Sequence, residues 1–202
     1  MKKLIADHIV KPFKRFPYFG RFRFWLLYWA YRITGWHIRN KEWDFVLEYL
    51  PKLHGDQKVR VLDVGCSRNL FCHEIVARGY ELTGMDIEVL DFKYPGEFRS
   101  EDIRYNRGFN YDFVTCISVF EHISDDGKGD YKQQSEALKN MICSLKPGGR
   151  LLLTTPTKEF SIGHIWHGFT YSTIENILPE NAIIIEYTEK AGQICMSITR
   201  LY

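Results

Sequence analysis

The chain lacks any apolar run long enough to cross a bilayer. Its longest uncharged apolar stretch, Phe24 to Tyr31, is eight residues, whereas a transmembrane helix needs roughly 20. Glycine (15) and proline (7) are too sparse for a collagen-like or low-complexity chain. The five cysteines, Cys66, Cys72, Cys116, Cys143 and Cys195, are odd in number and stand singly, with no C-x-x-C pair. That pattern suggests neither a disulfide framework nor a zinc site, so reduced, mostly buried thiols are expected. The opening residues Met1 to Ala6 hint at a signal peptide, but Asp7, His8 and Lys11 interrupt any hydrophobic segment. A cytoplasmic protein is expected.

What is present is a chain of 202 residues, 45% hydrophobic and 15% aromatic, enough for one main domain with a sizeable core. Its formal charge of +2 hides an asymmetry. Residues 1–41 carry ten Lys/Arg against the single acid Asp7, a net of +9 that leaves −7 for the other 161 residues. Eleven of the 31 aromatic residues also lie in that arm. The expected division is therefore a basic aromatic arm over 1–41 and a folded domain over 42–202. Within the arm, Phe22 to Ile33 is apolar on nearly every face, so as a helix it needs a cover. Three covers are open: the body of the protein, a second subunit, or peripherally the inner face of an anionic membrane. Nucleic acid is disfavoured as a partner, because no RNA-binding signature accompanies the basic residues.

From Val59 onward strand and helix patterns alternate. Val59 to Val64 is short, β-branched and followed by Gly65, as in a buried parallel strand ending in a tight turn. A helical spacing over Asn69 to Arg78 closes at Gly79. Strands are predicted at Tyr80 to Asp86, Glu97 to Ser100, Phe113 to Ser118 and Arg150 to Thr155, with a solvent loop over Asp125 to Asp130. A helix over Tyr131 to Leu145 is predicted to end in the turn Lys146 to Gly149, and a short helix near Tyr171 to Leu178. Ala182 to Thr188 and Ile194 to Leu201 are too close for a parallel crossover and suit an antiparallel hairpin. The fold predicted is α/β: a doubly wound, seven-stranded, mostly parallel Rossmann-like sheet with a C-terminal antiparallel hairpin and an N-terminal helical arm.

Ligands of such sheets bind at the carboxyl ends of strands, where the strand order reverses. Those ends carry Asp63, Gly65, Cys66 and Ser67 after the first strand, Asp86 and Ile87 after the second, Asp102 and Ile103 after the third, and Ser118 to His122 after the fourth. Asp86 lies 21 residues beyond Gly65, close to the separation of about 20 between a glycine turn and an acid on ribose hydroxyls. In G-x-G-x-x-G register Gly65 is followed by Ser67 and Leu70, and no Gly-Lys-Ser/Thr loop occurs. Those absences disfavour a pyrophosphate cofactor and leave an adenosine-like ligand without phosphates.

Five segments together resemble the class I S-adenosylmethionine-dependent methyltransferases, over roughly Trp43 to Tyr202. They are Val61 to Cys66, Gly84 to Ile87, Glu101 to Ile103, Tyr111 to Val114 running on to Phe120 to Ile123, and Leu145 to Leu151. The resemblance implies S-adenosylmethionine as cofactor, with Gly65 approached by the methionine portion and Asp86 accepting the ribose hydroxyls. Asp102 and the Ile103 amide would meet the adenine edge, and Ser118 would lie near the methyl donor. Asp63, Cys66, Ser67 and Ile87 complete the expected cofactor set. Ser67 and Asn69 depart from the family's glycines. Family members commonly use N-terminal helices as a lid, the reading that matches the first cover for the arm.

Methyl transfer relies mainly on positioning and desolvation, and a poorly nucleophilic hydroxyl also needs a base. His122, His164 and His167 are the candidate catalytic bases. Glu121-His122 further resembles a pair in some metal-assisted methyltransferases, but Ser118 stands where their additional acid would be, so no metal is expected. The function expected is methylation of a small or lipid-linked acceptor, at a sugar or polyphenol hydroxyl. Two alternatives remain: a non-catalytic binding or regulatory protein that kept the fold, and an RNA-directed methyltransferase using the arm.

Overall fold

The computed structural model describes residues 40–66, 71–90, 93–106, 110–123, 131–157, 168–190 and 192–202. The arm up to residue 39, Ser67 and Asn69, the loop 125–130, His164 and His167 lie outside the described residues.

Among the described residues seven strands form one sheet: β1 (Arg60–Val64), β2 (Glu81–Asp86), β3 (Glu97–Ser100), β4 (Tyr111–Ile117), β5 (Leu145–Pro156), β6 (Ala182–Lys190) and β7 (Gln193–Arg200). Their order is β3-β2-β1-β4-β5-β7-β6. The first five are parallel, and β7 runs antiparallel to both neighbours. The order reverses between β1 and β4, which is where a doubly wound sheet opens a crevice.

Both faces of the central strands are buried, and successive residues serve opposite layers. Leu62, Val64, Val114, Cys116, Leu151 and Leu153 pack beneath α3 (Lys132–Ser144) and α4 (Tyr171–Ile177). Val61, Ile117, Leu152 and Cys195 face α1 (Asn40–Tyr49) and α2 (Phe71–Ala77). On α1 and just past its end, Trp43, Val46 and Leu50 recur at helical spacing and are fully covered, with the Trp43 ring 5.2 Å from that of Phe71. Arg78, just past α2, donates to the Leu50 carbonyl at 2.7 Å and to that of Leu47 at 3.4 Å, satisfying carbonyls that the end of α1 leaves open. Thr170 caps α4 through a reciprocal pair of bonds with Thr173. All five cysteines are free thiols, four of them buried.

Two places differ from the sequence pattern. Lys146 to Gly149 reads as the turn before a strand, yet Leu145 already pairs with Tyr111, and the ladder resumes at Arg150 opposite Phe113. The four residues are a bulge inside β5. Asp112 fixes it by accepting from Lys146 Nζ at 2.7 Å and from the Arg60 amide at 2.8 Å. Gly149 is required there, since a Cβ would lie 2.9 Å from the Lys146 carbonyl oxygen. The terminal hairpin is tighter than predicted: its strands run on to Lys190 and Gln193, with Gly192 at φ +78° in the connection.

Candidate cofactor and active site

The carboxyl ends of β1, β2, β3 and β4 bring together most of the residues singled out in the sequence. Register fixes their spacing: Val64 pairs with Met85 and Cys116, so Gly65, Asp86 and Ile117 are the next residues on three adjacent strands. The Gly65 amide donates to the Met85 carbonyl at 2.8 Å. Gly65 has φ +72°, and a Cβ there would lie 2.2 Å from Cγ2 of Val119, which folds over it from the end of β4. The chain thus passes across the switch point with room for no side chain at 65.

Asp86 ends β2 with 8% of its surface exposed. Its Oδ1 accepts from the Glu88 amide at 2.9 Å, which holds the carboxylate at the strand end. Ile87, by contrast, is 68% exposed and Val89 is also open, so an apolar rim borders the buried acid. After β3, Asp102 is clasped by Arg104, with Nη2 and Nε at 2.7 and 2.9 Å from Oδ2. The Asp102 carbonyl accepts from the Tyr105 and Asn106 amides, and Asn140 of α3 donates to the Ile103 and Arg104 carbonyls at 2.8 Å. Ile103 turns its side chain into the core. Asp102 is therefore held in a rigid turn whose carboxylate Arg104 already engages.

Asp63 lies one layer deeper, 1% exposed. Its carboxylate accepts from Thr115 Oγ1 at 2.8 Å and from the Tyr94 hydroxyl at 3.5 Å. Burial pushes its pKa up to about 7, against the two hydroxyl bonds that favour the anion, with the Asp86 charge adding to the rise. Tyr94, from the β2–β3 connection, also meets the Cys66 thiol, and Gly84 leaves the space for both: a Cβ there would be 2.5 Å from the phenol ring and 2.7 Å from the sulfur. Burial raises the Cys66 and Cys72 thiol pKa values, which keeps both protonated and unreactive.

At the end of β4, Ser118 adopts φ +49°, a left-handed conformation rare outside glycine. A 3₁₀ turn, Phe120–His122, follows it. His122 is exposed at the end of this turn, while Glu121 is buried and accepts from Thr155 at 3.2 Å. Among the described residues no three His, Cys, Asp or Glu side chains group to hold a metal ion, and no helix is long and apolar enough to cross a membrane. Two residues that sequence reasoning missed complete the region, Tyr94 and Glu42. Tyr94 had a faint signal in the Tyr-Pro-Gly turn, whereas Glu42 on α1 had none. A concavity of about 400 Å³ lined by Arg60, Glu81 and Glu97 opens at the opposite, amino-terminal edge of the sheet and is no part of this site.

Residues 29–193 match the sequence model of a methyltransferase domain. The chain belongs to the class I S-adenosylmethionine-dependent methyltransferases. Among curated relatives, the ubiquinone biosynthesis O-methyltransferase of Bordetella avium is 27% identical over 123 residues, covering 54% of this chain and 48% of the relative. That of Coxiella burnetii is 26% identical over 146 residues, covering 66% of this chain and 58% of the relative. The chain thus spans about half the length of the curated relatives it matches. Among solved structures, the N-methyltransferase NodS of Bradyrhizobium japonicum superposes with a TM-score of 0.58 at 17% identity, covering 81% of this chain and 96% of that one. The 1,6-didemethyltoxoflavin-N1-methyltransferase of Burkholderia thailandensis gives 0.60 at 15% identity, over 80% and 77%. These methyltransferases share the fold of this one.

The residues present fit the family's cofactor, S-adenosylmethionine. The glycine crossing at Gly65, a buried carboxylate on the next strand and an exposed apolar rim at Ile87 suit a methionine tail, a ribose and an adenine respectively.

Proposed function

We propose that this methyltransferase transfers a methyl group from S-adenosylmethionine to a hydroxyl of a small acceptor, of the polyphenol class. The observation that carries the reading is the row of strand-end residues, Gly65, Asp86 and Ser118, on three strands that meet around the switch point. When bound, the cofactor supplies a methyl group on a cationic sulfur. The Asp86 carboxylate accepts the ribose hydroxyls, and Ile87 packs on the adenine face. Asp102, oriented by Arg104, and the Ile103 amide read the adenine edge. Asp63 supports the turn from below, while Gly65, Cys66 and Ser67 border the methionine portion and Ser118 the methyl donor. His122, exposed beside Ser118, takes the proton of the acceptor hydroxyl; His164 and His167 are the other bases to be tested. The names of the matched relatives support oxygen as the methylated atom.

The arm, 1–41, is proposed as a lid over the acceptor. Its +9 charge and aromatic content also support peripheral contact with an anionic membrane and hence a lipid-linked acceptor. A methyl-transfer assay across catechol-type, sugar and RNA acceptors tests the reading, using wild type and the His122→Ala, His164→Ala and His167→Ala variants. Turnover on a polyphenol hydroxyl, lost in one of these variants with cofactor binding kept, supports it. Binding without turnover on any acceptor would leave a non-catalytic protein. Sedimentation with anionic vesicles at low salt, released as salt rises, separates membrane contact from a lid.

A further inference from the structure

Glu42 belongs to α1, outside the strand-end motifs, yet its carboxylate reaches the switch point and only 4% of the residue is exposed. The Ser118 hydroxyl donates to Glu42 Oε1, and Thr154 Oγ1 of β5 lies 3.3 Å from the same oxygen. Thr154 also receives the Ser118 amide, at 3.0 Å on its carbonyl and 3.1 Å on its hydroxyl. The three residues share hydrogen bonds around one backbone position. That position is the left-handed Ser118, a conformation that is unfavourable for a non-glycine residue. Such a conformation persists only where its surroundings over-determine it. The residue it aims is Val119, whose methyl groups close over Gly65.

We propose that Glu42 is a positioning residue of the cofactor pocket, holding the Ser118-Val119 corner in place, so that docking of α1 sets the shape of the switch point. The inference rests on the strand-end reading of the cofactor site. It makes the helix that follows the basic arm a structural part of that pocket: displacing α1 removes the acceptor of the Ser118 hydroxyl, and the corner relaxes away from Gly65. Glu42 acts on the donor through Ser118, which distinguishes it from Asp86.

The test is calorimetric titration of the full chain with S-adenosylhomocysteine, the demethylated product, in a double-mutant cycle. E42A should weaken binding about five- to tenfold, since what is lost is the hold on one strained residue. E42Q, whose carbonyl oxygen can still accept from both hydroxyls, should restore most of it. S118G adopts the left-handed backbone without help, so in the S118G background E42A should change affinity less than about twofold. Melting temperature is recorded for each protein, because a purely structural Glu42 would lower it in both backgrounds without this coupling. If E42A does not fold, the nearly isosteric T154V replaces it, with a smaller loss that S118G again abolishes. Equal losses from E42A with and without S118G, or none in either, overturn the proposal while leaving the cofactor site standing, provided D86A still loses binding. If D86A binds as tightly as wild type, the site reading fails and this inference with it.

Discussion

Apart from Asp102, which Arg104 pairs at 2.7 Å, the acids at the two ends of one sheet are held in different ways. At the amino-terminal ends, Asp112 meets Lys146 at 2.7 Å with side chains 27% and 42% exposed, and Glu97 pairs with Arg99 at 2.8 Å near the surface. At the carboxyl ends, Asp63, Asp86, Glu42 and Glu121 are buried, and the partners of Asp63 and the bonds drawn on Glu42 and Glu121 come from hydroxyls of Thr115, Tyr94, Ser118, Thr154 and Thr155. Water screens the first set, so those pairs contribute little. Burial of the second set costs free energy that their hydrogen bonds must offset. A fold would not gather four carboxylates there for stability alone. The difference marks the carboxyl ends as the working end of the sheet.

The sharpest way to test that contrast is Asp63→Asn. With its folded pKa near 7 and an ordinary unfolded value near 4, the protonated carboxyl favours the folded state. Its contribution is therefore full below about pH 4 and lost as pH rises to about 7. Asparagine carries no such charge, so between pH 4 and 8 the variant should lose less stability than wild type, by on the order of 4 kcal/mol. Urea unfolding at the two pH values measures it, and parallel curves for the two proteins would show that Asp63 is not a buried acid of this kind. Next in size, Gly65→Ala combines a left-handed backbone with contact against Val119 and should cost roughly 2–4 kcal/mol in unfolding free energy. An unchanged midpoint in denaturant would mean the corner is looser than its geometry.

Asp86→Ala should cost roughly 1.5–3 kcal/mol in binding of S-adenosylmethionine, by removing a charged acceptor from two hydroxyls. Titration calorimetry on the folded variant measures this, and retained affinity would remove the ribose assignment. The smallest effect is expected at the other end. Lys146→Ala breaks a half-exposed ion pair and should change stability by about 0–1 kcal/mol, with the Arg60 amide still on Asp112. A loss comparable to that of Gly65→Ala would erase the contrast between the two ends.

Much of this was legible in the amino-acid sequence because it is written in local pattern. Alternating β-branched runs and helical spacings specified seven strands in nearly the observed bounds, since burial on both faces demands continuous apolar residues. Gly65 and Asp86 could be picked out because a tight turn and a strand end leave signatures at fixed offsets. The bulge at Lys146 to Gly149 read as a turn, because Pro-Gly-Gly means only that the chain bends; the pairing of Leu145 with Tyr111 is a matter of strand register. Tyr94 left only a faint signal and Glu42 none, for the same reason. Tyr94 reaches Asp63 across 31 residues, and Glu42 reaches Ser118 and Thr154 across 76 and 112. By itself the sequence determined the elements, the glycine crossing and the acids at the strand ends. Tertiary structure alone decided which hydroxyls meet those acids, because a buried carboxylate takes whatever donors the packing of distant segments brings within about 3 Å.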